Sequence, residues 1–316
     1  MDRRNFLKAA ALTGAAFTLK VNGDMDILAQ TVKSAETGKP VDLVAIMGGE
    51  PDEMFKRAIA EMGGISKFVK TGQKVVVKPN IGWDKTPELA ADTNPKLVGE
   101  IVRQCVAAGA KEVLVFDHTC DDWQKCYKNS GIEDAAKRAG AKIAPGNPHD
   151  ETLFTPIKLP KGTALKEVSI HKAMLECDAW FNVPVLKHHR GSNMTIAMKN
   201  CMGLVSKKSQ SSFHSIGLQQ CIADMCTWEK RPVLNIIDAY RIMKTNGPKG
   251  RSEADAVLVK ALIAAPDIIA ADTAATRFAE QFTEKSVEAV THIGFGEAHG
   301  LGTTKLDTLK VKKIEV

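Results

Sequence analysis

The chain has 316 residues, 44% hydrophobic and 25% charged, with seven cysteines and a formal net charge of +6. That length suffices for one large α/β domain or two lobes. The positive excess is mild and spread out, and no basic run is interleaved with aromatics, so nucleic acid is not suggested.

The first residues read as an export signal. Arg3 and Arg4 precede Asn5-Phe6-Leu7-Lys8, and an Ala-rich run extends from Ala9 to Leu19. That run is too short to span a bilayer and fits the apolar part of a cleavable signal. The paired arginines resemble the twin-arginine pattern, with Asp2 in place of its Ser or Thr. Residues 1–35 are therefore expected to be signal and leader, and residues 40–316 a single α/β domain. The leader carries net charge +2, which leaves +4 for the rest. No later apolar run reaches membrane-spanning length. The sequence thus predicts an exported, periplasmic protein without a stable membrane span, handled by the twin-arginine machinery.

From Val41 onward, apolar runs alternate with helical patterns. Val41–Met47 is a predicted strand and Pro51–Met62 a predicted helix. Lys74–Lys78 is a short β-branched strand. Asn94 caps a helix that begins at Pro95 and runs to Ala108. Glu112–Phe116 is the next strand and Ile132–Ala139 a helix. Thr152–Leu159 and Leu165–Ile170 are strands about the turn Pro160-Lys161-Gly162. Ala179–Val185 is a strand, with helices expected over Asn193–Leu204 and Ser215–Trp228. Strands follow at Val233–Ile237 and Val257–Ala264, helices at Ala270–Gln281 and Glu284–Thr291, and a last strand at Leu306–Ile314. The alternation predicts an α/β, doubly wound, mostly parallel sheet with helices on both faces and a mixed-strand insertion around 145–170.

Several chemistries are disfavoured. No dinucleotide-type glycine motif follows a strand, no phosphate-binding P-loop occurs, and no serine sits in a nucleophile elbow. The cysteines, at 105, 120, 126, 177, 201, 221 and 226, include no C-x-x-C pair. Their odd count and irregular spacing argue against a disulfide framework and against a ferredoxin-type cluster. Cys105 and Cys177 read as core.

Polar residues collect at predicted strand ends, where ligands sit in open α/β sheets. Lys78 and Asn80 follow the first such strand. Asp117-His118-Thr119-Cys120 follows the second and offers an imidazole and a thiol, both transition-metal ligands. Asp122 reads as a helix cap. Lys187-His188-His189 leaves a third strand, and Lys199-Asn200 interrupts an Ala/Met/Cys/Leu run. A lysine there costs desolvation unless an anion pairs with it. In an extended segment His188 and His189 point opposite ways, so one belongs to a site and the other to packing. His214 closes the segment. Asp238 follows a later strand, and Gly247-Pro248-Lys249-Gly250 reads as a turn or as a backbone nest for an oxyanion. Asp272 with Thr273 reads as a helix cap.

These landmarks together resemble the domain-of-unknown-function 362 family. The resemblance rests on Lys78-Pro79-Asn80, Thr93-Asn94-Pro95, Lys187-His188-His189, Thr195, Lys199-Asn200, Gly203, Asp238, Gly247–Gly250 and Asp272, over roughly residues 43–282. It implies a fold remotely similar to lactate racemase-like proteins, whose nickel pincer cofactor is not carried over here. Many members also carry two four-cysteine ferredoxin-like clusters, which this chain lacks. The family implies no agreed activity.

Two readings follow. The first is a metal-dependent or redox-related enzyme acting on a small anionic molecule. Lys78, Lys187, Lys199, Asn200 and Asp238 are its catalytic candidates, and Asn80, Gly247, Lys249 and Gly250 its cofactor contacts. His118, Cys120, His188, His189 and His214 would hold iron or zinc. The alternative is a non-enzymatic protein that binds a small anion or partners an exported redox complex.

Overall fold

The computed structural model describes residues 41–316. The paired arginines and the leader lie outside the described residues. In chain order the elements begin β1 (Leu43–Met47), α1 (Pro51–Glu61), β2 (Lys74–Pro79), α2 (Pro95–Ala107), β3 (Glu112–Val115), α3 (Trp123–Asn129), α4 (Ile132–Arg138) and β4 (Lys142–Ile143). There follow β5 (Phe154–Lys158), β6 (Glu167–His171), α5 (Lys172–Glu176), β7 (Ala179–Val183), β8 (Val185–His189), β9 (Asn193–Thr195) and α6 (Ala197–Asn200). The remainder is α7 (Lys207–Ile216), α8 (Leu218–Met225), β10 (Leu234–Met243), β11 (Ala256–Ala265), α9 (Ile268–Thr283), α10 (His292–Ala298) and β12 (Val311–Glu315).

One ten-stranded sheet has the main path β12-β1-β11-β10-β7-β2-β3-β4, with β8 and β9 continuing beside β10. The sheet is mixed. β1–β11, β10–β11 and β8–β9 pair antiparallel, while β1–β12, β7–β10, β8–β10, β2–β7, β2–β3 and β3–β4 pair parallel. β5 and β6 form a separate antiparallel hairpin, the expected insertion.

Strand β2 shows why both faces are covered. Val75 and Val77 pack into a core with Phe55, Leu97 and Ile101 from α1 and α2. Val76 points the other way, into a core with Met198 and Ile269. Period-two alternation with apolar residues on both sides requires helices on both faces. Helix α2 starts where Asn94 accepts from the Lys96 N–H at 3.0 Å and buries Leu97, Val98, Ile101, Val102 and Cys105. Asp122 likewise caps α3, accepting from the Lys125 N–H. Cys177 is buried, as expected.

Several segments differ from the sequence expectation; the last strand, for one, begins at Val311, and Leu306–Thr308 is a 3₁₀ turn. Asn193–Leu204 is a strand, one short α-helical turn and a 3₁₀ turn over Cys201–Leu204, not one helix. The expected Ser215–Trp228 helix is broken at Gly217, whose φ of +136° suits glycine. Helix α7 precedes the break; its Lys/Ser/Gln-rich sequence hides it from hydrophobic patterning, and Ser206 caps it. Asp272 is not a cap. Helix α9 starts earlier, where Asp267 accepts from the Ile269 and Ala270 N–H groups, so Asp272 lies inside it and is fully buried. Glu284 ends α9 with φ +56°, and the next helix begins at His292, not Glu284. Among the described residues no helix is long and apolar enough to cross a membrane.

Candidate functional site

Because β2, β3 and β7 run parallel, their carboxyl ends lie side by side and bring distant residues into one wall. Lys78 is fully buried, and its ammonium meets three oxygens: Pro79 O at 2.9 Å, Asn200 Oδ1 at 2.9 Å and Asp117 Oδ1 at 2.6 Å. Asp117 also accepts from the Ile81 N–H at 2.6 Å. Burial works against both charges, while each partner's charge supports the other's. Gly203 closes over this pair. A Cβ there would fall 2.0 Å from Asp117 Oδ1 and 2.7 Å from Lys78 Nζ, so only glycine fits.

Lys187, on β8, is also buried; it donates to Asn80 Oδ1 at 2.9 Å and to the Ala91 carbonyl. Its charge lies near Asp92, whose Oδ1 accepts from the Trp83 N–H at 3.1 Å. Burial pulls the Lys187 ammonium down and pushes the Asp92 carboxyl up.

Lys199 differs from both. It projects from α6, a single turn whose first two N–H groups are clamped by Asp272, Ala197 N to Oδ1 at 2.7 Å and Met198 N to Oδ2 at 3.0 Å. Burial pushes Asp272 up to about 7, and these two N–H groups oppose that rise. Among the described residues nothing gives the Lys199 ammonium a hydrogen bond or an ion pair. Burial, reinforced by the charge of Lys78, pulls it down to about 8.

A chain of amides backs the lysines. Asn235 donates to the Ala265 and Pro266 carbonyls, both at 3.1 Å, and accepts from Asn182 at 3.0 Å. Asn182 accepts from Asn200 at 2.9 Å. Asn200 Oδ1 accepts from Lys78 and, at 3.1 Å, from Asn80. Asn80 Oδ1 accepts from Lys187. The orientations, assigned from the network, run head to tail with every oxygen toward the lysines.

The cavity these groups enclose has a volume of about 60 Å³ and is lined also by His118, Cys120, His189, Thr195 and Pro248. Two buried side-chain polar atoms of this wall lack any partner, His118 Nε2 and Thr195 Oγ1. Buried orphans are rare in native proteins, so their gathering here marks a site. A larger cavity of about 310 Å³ lies by Trp180, Cys201, Cys226 and Trp228, but no orphaned polar atom lines it.

The histidines divide by their bonds. His118 Nδ1 lies 2.5 Å from the Val205 carbonyl, which can only accept, so the proton sits on Nδ1 and Nε2 keeps a lone pair. Burial holds His118 down to about 4. His189 Nδ1 accepts from the Gly191 and Ser192 N–H groups at 3.0 and 3.1 Å, which leaves its proton on Nε2. Burial, with Lys199 and Lys187 nearby, holds His189 neutral, down to about 2. His188 instead faces the Gly247 loop, its Nδ1 accepting from Gly247 N at 3.2 Å.

Other candidates lie outside the cavity wall. His214 is exposed on α7. Asp238, pushed up to about 6 by burial, accepts from the Asn94 and Tyr240 N–H groups. Lys249 forms an ion pair with Asp121 at 2.8 Å and lies 5.3 Å from the Trp83 ring centre. The Gly250 N–H is bonded to the Asn246 carbonyl, and a Cβ on Gly247 would fall 1.7 Å from the His188 carbonyl oxygen. Those two glycine N–H groups are therefore occupied within the protein. Cys120, by contrast, belongs to the wall and stands exposed at the cavity mouth, beside a groove of about 390 Å³ with His149 and Lys207. Among the described residues no three His, Cys, Asp or Glu side chains gather closely enough to hold a metal ion.

Sequence reading places Asp92 near the first strand end without a role and passes over Asn182 and Asn235. The last two carry a usable signal: a lone asparagine inside an apolar strand, as in Ala179–Val183, needs a buried partner.

Comparison with known proteins gives a family without an activity. The chain is 25% identical over 230 residues to the thylakoid-associated protein sll1697 of Synechocystis, covering 69% of this chain and 66% of that one. Its backbone is similar to the lactate racemase apoprotein of Thermoanaerobacterium thermosaccharolyticum, with TM-score 0.48, 13% identity and coverage of 80% of this chain and 58% of that one. A Thermotoga maritima protein of known structure gives TM-score 0.44, 14% identity and coverage of 76% and 60%. The chain thus spans about two thirds or less of each of these proteins. The family model described as Domain of unknown function (DUF362) matches residues 75–277, well over half of the chain, and the protein belongs to that family.

Proposed function

We propose that the lysine cavity binds a small oxyanion, a carboxylate foremost, and that the protein acts on it by proton transfer after export by the twin-arginine route. The observation that carries this reading is the Lys199 ammonium, set in a cavity wall whose one carboxylate, Asp117, is already paired with Lys78. Lys199 is half-buried, so its ammonium has lost part of its water, and an anion in the cavity offsets that loss. Lys199, the remaining N–H of Lys187 and the Nε2–H of His189 supply donors; His118 Nε2 supplies the one imidazole lone pair for a proton.

One observation favours binding without turnover. Burial holds His118 to about 4, which makes it a weak base near neutral pH. A substrate whose proton is acidified by the neighbouring lysines is the case in which it suffices.

Calorimetric titration with acetate, lactate and phosphate tests the reading. The parent is expected to bind a carboxylate, and Lys199→Met to weaken it by roughly ten- to a hundredfold with the fold kept. Affinity should fall as pH rises through about 8, where Lys199 loses its proton, and this pH step should vanish in the variant. Equal binding by parent and variant, or none by either, overturns the reading.

A further inference from the structure

The three lysines of the cavity are not equivalent, and the difference points beyond charge. Lys78 has all three N–H bonds directed at oxygens, and Lys187 has two of three engaged. Lys199 has none. An ammonium pinned by three acceptors cannot give up a proton and turn the resulting lone pair to a substrate without breaking those contacts. An amine without partners can.

We propose that Lys199 is a nucleophile that forms an imine with a small 2-oxo acid held in the cavity. The inference rests on the oxyanion reading above and names the substrate class of that same site. Three further observations support it. Burial, with the charge of Lys78 behind the wall, disfavours a positive charge on Lys199 more than Cys120 and Asp117 favour one. Its pull down to about 8 gives it, near pH 7, a neutral fraction roughly a hundredfold above that of an ordinary surface lysine. The cavity, at about 60 Å³, takes the bulk of about two waters, which limits the acid to a very small one of the glyoxylate or pyruvate class.

The step balances within the site. The Nζ lone pair attacks the carbonyl carbon, and the C=O π pair moves to oxygen. The two protons that leave nitrogen go to that oxygen, which departs as water, and a C=N bond remains. His118 Nε2 and Thr195 Oγ1, both buried and without partners, are the wall groups with a free valence for that transfer. The substrate carboxylate pairs with the free N–H of Lys187 and the Nε2–H of His189.

Reductive trapping tests the proposal on the full chain. Protein is incubated with pyruvate and sodium cyanoborohydride, digested and mapped by mass spectrometry, and pyruvate binding is followed in parallel by thermal shift without reductant. One reduced pyruvyl adduct is expected at Lys199, accumulating at least tenfold faster than on any exposed lysine, with acetate slowing it. Lys199→Arg keeps the charge and should lose the adduct at that peptide. Pyruvate binding with no adduct, or adducts only on exposed lysines, overturns the imine and leaves the oxyanion reading standing. No thermal response to either pyruvate or acetate overturns both.

Discussion

Lys78, Lys187 and Lys199 carry the same functional group, and they differ in how many of their N–H bonds are engaged. Lys78 illustrates the structural end of that range. Its pairing with Asp117 is fully buried, so removing either partner leaves the other charge without compensation, a loss of about 3–5 kcal/mol. Lys78→Met and Asp117→Asn should therefore each destabilise strongly in urea unfolding, while the double variant costs much less than the sum. Simple additivity would show that the pair is not the unit it appears in the geometry. Part of this was legible beforehand. Lys78 stands directly after three valines, and Lys199 interrupts an apolar run, so each had to find a buried partner or a ligand. Which partner each finds was not legible, because Asp117 is 39 residues from Lys78 and Asn200 is 122.

At the scale of elements, the decisive piece is α6. A single helical turn has too few internal hydrogen bonds to persist alone. Asp272 holds it from inside α9, one carboxylate oxygen for each of two N–H groups. Asparagine at 272 offers one acceptor in place of two. Asp272→Asn should therefore cost about 1–3 kcal/mol of stability and weaken anion binding as α6 shifts, even though residue 272 does not line the cavity. Stability loss with unchanged anion affinity would separate α6 placement from function. The sequence reading gave Asp272 the role of a helix cap because Asp-Thr before an apolar stretch is a common start signal. It missed that Asp267, five residues earlier, had already started the helix. Local pattern cannot distinguish two candidate caps in register with the same helix; burial can, and burial is a tertiary property.

At the scale of the molecule, the parallel core strands could be anticipated from alternating runs, whereas the antiparallel placement of β11 between β1 and β10 could not. Nothing in a strand's composition states the direction of its neighbour. That arrangement leaves the carboxyl ends of β2, β3 and β7 grouped, and the site forms there. The export proposal is also a property of the whole chain. Replacing Arg3 and Arg4 together by lysine preserves charge and should strand the precursor in the cytoplasm, as read by cell fractionation. Undiminished export of the Lys-Lys protein would remove the twin-arginine assignment without touching the cavity.

The four head-to-tail amides have a consequence of their own. Each side chain's orientation dictates the next, so Asn235, Asn182, Asn200 and Asn80 store a single binary setting, not four independent ones. The setting is written at the far end, where two carbonyls that can only accept oblige Asn235 to present its nitrogen to them. Asn235→Asp erases that instruction: the carbonyls lose their donor, and a charge enters one end of the series. The lysines at the other end should respond, with a displaced pH midpoint for anion binding, although residue 235 touches none of them. A single isosteric change at the back of the sheet thus becomes a remote tuning screw for the cavity, and an unmoved midpoint would show the series to be four separate bonds.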